Sequence, residues 1–505
     1  MDKLSLADKG FLLTERRETP MNVGAVSLYT LPEGADERTF LHDLARNVRD
    51  ADALLHPFGD RLRTGVLGLL GNAFWEADPE IDMDYHVRHS ALPRPGRYRE
   101  LFSLVSHLHS TLLDRSRPLW EMHLIEGLQN RQFAVYTKTH HASVDGMRSV
   151  HISRSMLSDD PDDVRTESPL SLRSWERYKA ELRRCGGHSD AELRHVGDLL
   201  RATVDSSAHL LRALQSFTRA WVGRDDALSL PHLHVPQTSL NSRVDGARRF
   251  VARSWSFDRL RALGNACGGT FNDAVLAICA GALRRYLLNH GELPGENLKS
   301  MVPVSLREAD DLESGNAIAF ISADLGTAIA DPVQRYETIR ASVNRGKAFY
   351  RDLSPREGEL VNLIMQMPTI TLMSLGLISR LPPYNLAISN VPGIRERMYW
   401  NGARLDGTYP LSIVTDGMAL NITLVTNARS VDFGIIACRR SMPYAQRLID
   451  YMDEALCELE EAAGLGAGTQ APPRSRSTPA RRPAKKPRRA RASAPKQARS
   501  AATPA

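Results

Sequence analysis

The chain has 505 residues, 42% hydrophobic and 25% charged, which excludes a disordered or fibrous protein and leaves room for two or three packed domains. Residues 471–505 hold eleven of the 65 lysines and arginines and no acidic residue; the remainder, 54 basic against 59 acidic, is net acidic and lacks the footprint of a specific nucleic-acid binder. Five scattered cysteines with no CxxC pair argue against a disulfide framework or a zinc site and fit a reducing cytoplasm.

The N-terminus, MDKLSLADKG, has acidic residues and no long apolar run, so no secretory signal is expected. Residues 1–157 read as mixed strand and helix. Within them FAVYTKTH (Phe133–His140) alternates. Phe133, Val135, Thr137 and Thr139 fall on one side, and Ala134, Tyr136, Lys138 and His140 on the other, as in a strand. DGMRSVHISRSML then turns helical, with Met147, Val150 and Met156 as its candidate buried face. The stretch KTHHASVDG (Lys138–Gly146) therefore sits at a strand-to-helix junction.

Residues 158–244 read as a linker. SDDPDDVRTESP is acidic and proline-punctuated, as a surface segment would be. A long helix is expected over 190–222, with Ser189 and Glu192 as a capping box and a stripe from Leu193 to Trp221. It reads either as a connecting helix packed on the domains or as a helix on a membrane surface.

Residues 245–463 read as a second domain. TFND (Thr270–Asp273) opens a helix carrying Val275, Leu276, Cys279, Leu283, Tyr286 and Leu287. SMVPVSLR (Ser300–Arg307) reads as a strand, and Ser412–Cys438 as strands meeting at a turn near Asn427–Ser430. Leu360–Ser379 has no charge over 20 residues but contains Asn362, Gln366 and Pro368. Its default reading is a buried helix pair broken at Pro368. A greasy channel lining or membrane-contact surface is the second reading, and a bilayer span the third. From Gly464 the Ala, Pro, Arg, Lys and Ser composition cannot bury a core, so a disordered tail is expected.

A neutral histidine can take a proton from a hydroxyl near neutral pH. In an alternating strand His140 and His141 face opposite ways, so only one of them reaches a given pocket. Asp145 can cap the following helix, pair with an arginine or form a direct Asp–His relay, which the spacing does not require, and Gly146 permits a tight turn or a close backbone approach. No GxSxG or HExxH occurs, and His107/His109 and His232/His234 lack a metal-binding partner set.

YHVRHSALPRPG, RPLWEMHLIEGL, KTHHASVDG, PQTSLNSRVDGARRFV, TFNDAVLAICAGALRRYL, MVPVSLR and SNVPG follow one another in that order. Over roughly 1–463 the chain resembles the bacterial wax ester synthase/diacylglycerol acyltransferase family of the coenzyme A-dependent acyltransferases. The resemblance implies an α/β fold of two chloramphenicol-acetyltransferase-like domains with the active site in a tunnel between them. It implies that His141 is the general base, supported by His140, Asp145 and Gly146. Pro118, Leu119, Trp120, Asn272, Asp273, Asn390, Val391 and Pro392 would line the tunnel or brace it. Asn272 and backbone amides near Ser389–Val391 are candidate oxyanion donors. Their bland readings are helix capping for Asn272 and Asp273, a core aromatic for Trp120 and turn chemistry for Asn390–Gly393. The implied substrates are acyl-CoA and a diacylglycerol or long-chain alcohol, with no metal or prosthetic group. The implied place is the cytoplasm, peripheral to the inner membrane face or lipid inclusions. A carrier-dependent condensation enzyme and a catalytically silent lipid-surface protein are the alternatives.

Overall fold

The computed structural model describes residues 2–184, 215, 235–305 and 318–466, apart from Ser5, Val66, Leu67, Asp145, Asp352 and Ser354. Most of the helix expected over 190–222, His232, His234 and the tail from 467 lie outside the described residues. In the first half the order is β1 (Asp2–Lys3), α1 (Leu6–Thr14), β2 (Asn22–Thr30), α2 (Glu37–Arg49), β3 (Asp60–Gly65), β4 (Gly68–Ala77), α3 (Met83–His86), β5 (Val87–Ala91), α4 (Tyr98–His109), β6 (Trp120–Glu126), β7 (Gln132–His140), α5 (Gly146–Ser155) and α6 (Leu172–Arg184). The second half follows with β8 (Arg248–Ser256), α7 (Phe257–Ala266), α8 (Phe271–Asn289), β9 (Lys299–Ser305), β10 (Ile318–Asp324), α9 (Pro332–Arg351), α10 (Pro355–Ser374), β11 (Leu386–Ile394), β12 (Tyr399–Trp400), β13 (Ala403–Leu411), β14 (Leu420–Asn427), β15 (Ser430–Cys438) and α11 (Arg447–Ala462).

Two mixed six-stranded sheets carry the fold, in the orders β12-β13-β2-β7-β6-β5 and β10-β9-β11-β14-β15-β8. The expected strand over Phe133–His140 is β7, which pairs antiparallel with β2 and β6. Both faces of β7 are covered. Phe133 and Val135 pack with Leu41, Leu44 and Val48 of α2. Ala134 and Tyr136 join a cluster with Val105 of α4, Phe250 of β8 and Ile436 of β15. That cluster draws on both halves, and residues 1–465 form one compact unit.

The halves also share a sheet. β12 and β13 come from the second half in sequence, yet β13 pairs with β2 and closes the first sheet. Asp406, at a register shift in β13, accepts from Thr30 Oγ1 (2.5 Å) and Gln132 Nε2 (2.8 Å). Two residues on, the Thr408 N–H donates to Asp432 of β15 at 2.8 Å.

α8 starts as expected, with Thr270 as its N-cap and Asp273 completing a capping box. β14 and β15 meet at a turn where Ala428 has φ 47°. Ser412–Ala419, expected to be strand, is a loop instead. There the Asp416 carboxylate accepts the Val244 N–H, and the Ala419 N–H goes to Leu240 O, so neighbouring segments replace a ladder.

The expected break at Pro368 is also absent: α10 runs through it to Ser374. A proline in a helix interior loses one hydrogen bond. Here Leu360, Val361 and Met365 anchor the first half of the helix in the core, and packing overrides that cost. Met367, Ile370 and Leu375 remain exposed. Among the described residues no single helix is long and apolar enough to cross a membrane.

Candidate active site

His140 is the last residue of β7 and lies opposite Asn22 of β2. Its N–H donates to Leu119 O at 3.0 Å, and the His141 N–H donates to Met21 O at 2.9 Å. Each histidine is therefore held by a different neighbouring segment as the chain leaves the sheet.

The His140 ring is fully buried. Nδ1 accepts the Ala142 N–H at 3.0 Å, which puts the ring proton on Nε2. Nε2 faces Oε1 of Glu15 at 3.4 Å, longer than a closed hydrogen bond. The Glu15 side chain is 2% exposed and is gripped from two further sides. Oε1 accepts the Met21 N–H at 3.0 Å, and Oε2 accepts from Arg115 Nη2 at 2.9 Å. Burial alone would raise the Glu15 carboxyl. His140, the Met21 N–H and Arg115 together outweigh it and hold the group below its ordinary value.

His141 is half-buried. Its ring stacks on Phe11 of α1, with centroids 4.3 Å apart and 16° between planes. Asp145 lies outside the described residues, and Gly146 opens α5. Of the three candidates for the buried face of that helix, Val150 is half-buried and Met156 is buried, while the Met147 side chain is outside the description.

Lys138 shares the His140 face of β7 and is also fully buried. Its Nζ donates to Leu108 O (3.1 Å) and Thr111 Oγ1 (3.0 Å) and lies 3.8 Å from Glu121 Oε2. Burial pushes the ammonium down to about 8, with Glu121 pulling the other way. Against its own burial, Glu121 is held low by His123, Lys138 and Arg88. His109 hydrogen-bonds Tyr136 Oη at 2.8 Å. Burial, then the charges of Lys138 and Arg248, push its imidazole down to about 3, so it is neutral.

Pro118 and Leu119 are buried, and Leu119 joins Leu12, Leu113 and Ala142 in a small apolar cluster beneath the motif. Trp120 is a core aromatic. Its Nε1–H donates to Phe58 O at 2.8 Å, and its ring stacks on His86.

In the second half Asn390 Nδ2 donates to Asn272 Oδ1 at 2.7 Å, so the Asn-Asp motif and SNVPG meet. Asp273 turns inward to cap, its Oδ2 accepting the Thr270 N–H at 2.8 Å. Asn390–Gly393 is not a turn. It lies within β11, where a register shift falls between Val391 and Ile394 and spans Pro392. Pro392 sits where no ladder N–H is required. At Gly393 a Cβ would meet Thr426 O at 1.9 Å, so the glycine serves close strand approach. Pairing of β11 with β9 is confined to Leu386 and Ala387. α1 lies against α10 and α5 against β11, which brings the second half up to the histidine motif.

Phe11, Glu15, Met21 and Arg115 were missed by sequence reasoning. Their only local signal is the four-residue spacing of Phe11 and Glu15, which is common to any helical face.

Family models for the wax ester synthase/diacylglycerol acyltransferase catalytic domain and for the C-terminal domain of that family match residues 4–275 and 314–460. A probable diacylglycerol O-acyltransferase of Mycobacterium tuberculosis is 42% identical over 470 residues, covering 92% of this chain and 100% of the relative. The O-acyltransferase WSD of Acinetobacter baylyi is 38% identical over 448 residues, covering 88% and 94%. Among solved structures, a wax ester synthase/diacylglycerol acyltransferase from Marinobacter aquaeolei VT8 matches with a TM-score of 0.73 and 37% identity, covering 92% of this chain and 100% of that one. The first condensation domain of the calcium-dependent antibiotic synthetase matches with a TM-score of 0.55 at 15% identity, a likeness of fold alone. The chain is thus an acyltransferase and belongs to the wax ester synthase/diacylglycerol acyltransferase family.

Proposed function

We propose that the chain moves a long-chain acyl group from acyl-CoA to the free hydroxyl of a diacylglycerol, and to a long-chain alcohol where one is offered, with His141 as general base. The observation that carries the assignment is the state of His140. Its side chain is fully buried, with Nδ1 accepting the Ala142 N–H and Nε2 facing Glu15, whereas His141 is half-buried and so is the imidazole of the pair that a substrate can approach. The diacylglycerol preference rests on the name of the mycobacterial relative.

In this scheme His141 takes the hydroxyl proton as the acceptor oxygen bonds to the thioester carbonyl carbon. The tetrahedral oxyanion collapses and the carbon–sulfur bond breaks. The imidazolium then returns its proton to the CoA sulfur, giving an ester and free CoA. No metal or prosthetic group takes part. The oxyanion donors are the Asn272 amide and the backbone of Ser389–Val391, which has no β9 partner among the described residues. Substrates enter between the halves, where α1 faces α10 and α5 faces β11.

The enzyme works at a lipid surface, at the inner membrane face or on lipid inclusions. Leu13 on α1 and Met367, Ile370 and Leu375 on and after the adjoining α10 are exposed, and Arg16 and Arg17, just past the end of α1, are exposed cations. Apolar side chains near a basic rim suit an anionic interface.

The test is purified protein with palmitoyl-CoA and dioleoylglycerol or hexadecanol, run side by side. Acceptor-dependent release of CoA supports the scheme. Transfer only from a carrier-bound acyl group would favour a condensation enzyme, and lipid binding without turnover a silent protein. The His141→Ala variant should fold and lose turnover; near-normal activity in it sinks the general-base assignment.

A further inference from the structure

Resting on that reading of His141, we propose that Glu15 is a positioning residue for the acyl transfer, aligning His141 through His140 and the Met21 peptide while Phe11 seats the imidazole. The Glu15 N–H donates to Phe11 O at 3.1 Å, which continues the helical pattern one residue past α1 and puts both side chains on one face. From that face Phe11 meets the ring of His141 and Glu15 meets the ring of His140. One oxygen of Glu15 also holds the Met21 N–H, and the carbonyl of Met21 holds the His141 N–H. The carboxylate thus reaches the base by two routes, a side chain and a peptide. Arg115 fixes the carboxylate in turn, donating also to Leu12 O at 2.7 Å.

The surroundings argue for geometry rather than stability. Neighbouring Leu12, Leu119 and Ala142 form an apolar cluster, where a leucine at position 15 would avoid burying a charge. A carboxylate also selects the His140 tautomer whose Nδ1 accepts the Ala142 N–H, which shapes the turn directly after His141. Neither Glu15 nor Phe11 needs to touch substrate for this.

The experiment measures kcat and KM for palmitoyl-CoA, together with thermal melting, in Glu15→Gln, Glu15→Asp, Phe11→Leu and His141→Ala. In Glu15→Gln, kcat should fall roughly tenfold to hundredfold per folded molecule, the scale of a small misplacement of a reacting group, with KM nearly unchanged. Glu15→Asp keeps the charge and should recover part of the loss. Phe11→Leu keeps the apolar volume and should lower kcat alone. His140→Asn combined with Glu15→Gln should cost less than the product of the two single losses, because the His140 ring is one of the two routes by which Glu15 acts. A folded Glu15→Gln protein with parental kcat overturns the proposal, as does a loss wholly explained by the unfolded fraction. If Glu15→Gln fails to fold, parental kcat in both Glu15→Asp and Phe11→Leu overturns it. Turnover in His141→Ala removes the base assignment itself. An inactive His141→Ala beside a normal Glu15→Gln removes only the positioning role.

Discussion

At the scale of single residues, Lys138 carries a pH signature with a definite sign. Its ammonium titrates at 10.5 when unperturbed and at about 8 when buried beside β6 and α4. Between those values the unfolded chain binds more protons, so stability rises with pH across that window, and holding the charged form buried is a cost below it. The urea midpoint measured from pH 8 to 10 should climb in the parent and climb less in Lys138→Met; equal slopes would refute this. His140→Ala makes a second residue-scale prediction. It removes the ring nearest the buried Glu15 carboxylate and leaves a cavity, and should cost about 2 to 4 kcal/mol by urea titration, as truncating a fully buried side chain does. A cost near zero would mean that Arg115 and the Met21 N–H satisfy Glu15 alone. The alternation that sets His140 and Lys138 on one face was legible, because a strand has a period of two. Glu15 was not legible: it meets His140 across the fold, and nothing near either residue marks the other.

Within single elements the Thr270–Asp273 cap was read correctly and the chemistry of the proline and glycine was not. Thr270 and Asp273 cap α8 as the spacing predicts, because a cap involves only neighbours. Pro368 breaks nothing, because burial of Leu360, Val361 and Met365 outweighs one missing hydrogen bond. Pro368→Ala should therefore raise stability by up to about 3 kcal/mol, read as a higher urea midpoint; a lower midpoint would show that α10 is shaped around the ring. Gly393 has the glycine signature of a turn, but the cause is a strand partner 33 positions away. Gly393→Ala should push β11 off β14 and destabilise by about 1 to 3 kcal/mol. An unchanged melting temperature would show that the close contact relaxes freely.

For the whole molecule the decisive feature is the exchange of β12 and β13 into the first sheet. A fragment ending at residue 244 would lack both strands and expose the edge of β2, an unpaired edge that invites aggregation. Such a fragment should be insoluble or lack a cooperative melt, whereas the full chain should melt as one unit; a soluble fragment with a sharp transition would contradict this. The sequence by itself determined the residue types at the site, the strand and helix on either side of it, the Thr270 cap and the composition of the tail. Each of these depends on a period, a neighbour or a count. Only the tertiary structure decided which histidine is enclosed, what holds it, how Asn272 meets Asn390, and that the two halves share a sheet. Those facts rest on contacts between segments tens to hundreds of residues apart, whose pairing is chosen by packing and hydrogen bonding of the whole chain and leaves no periodic trace in any one segment.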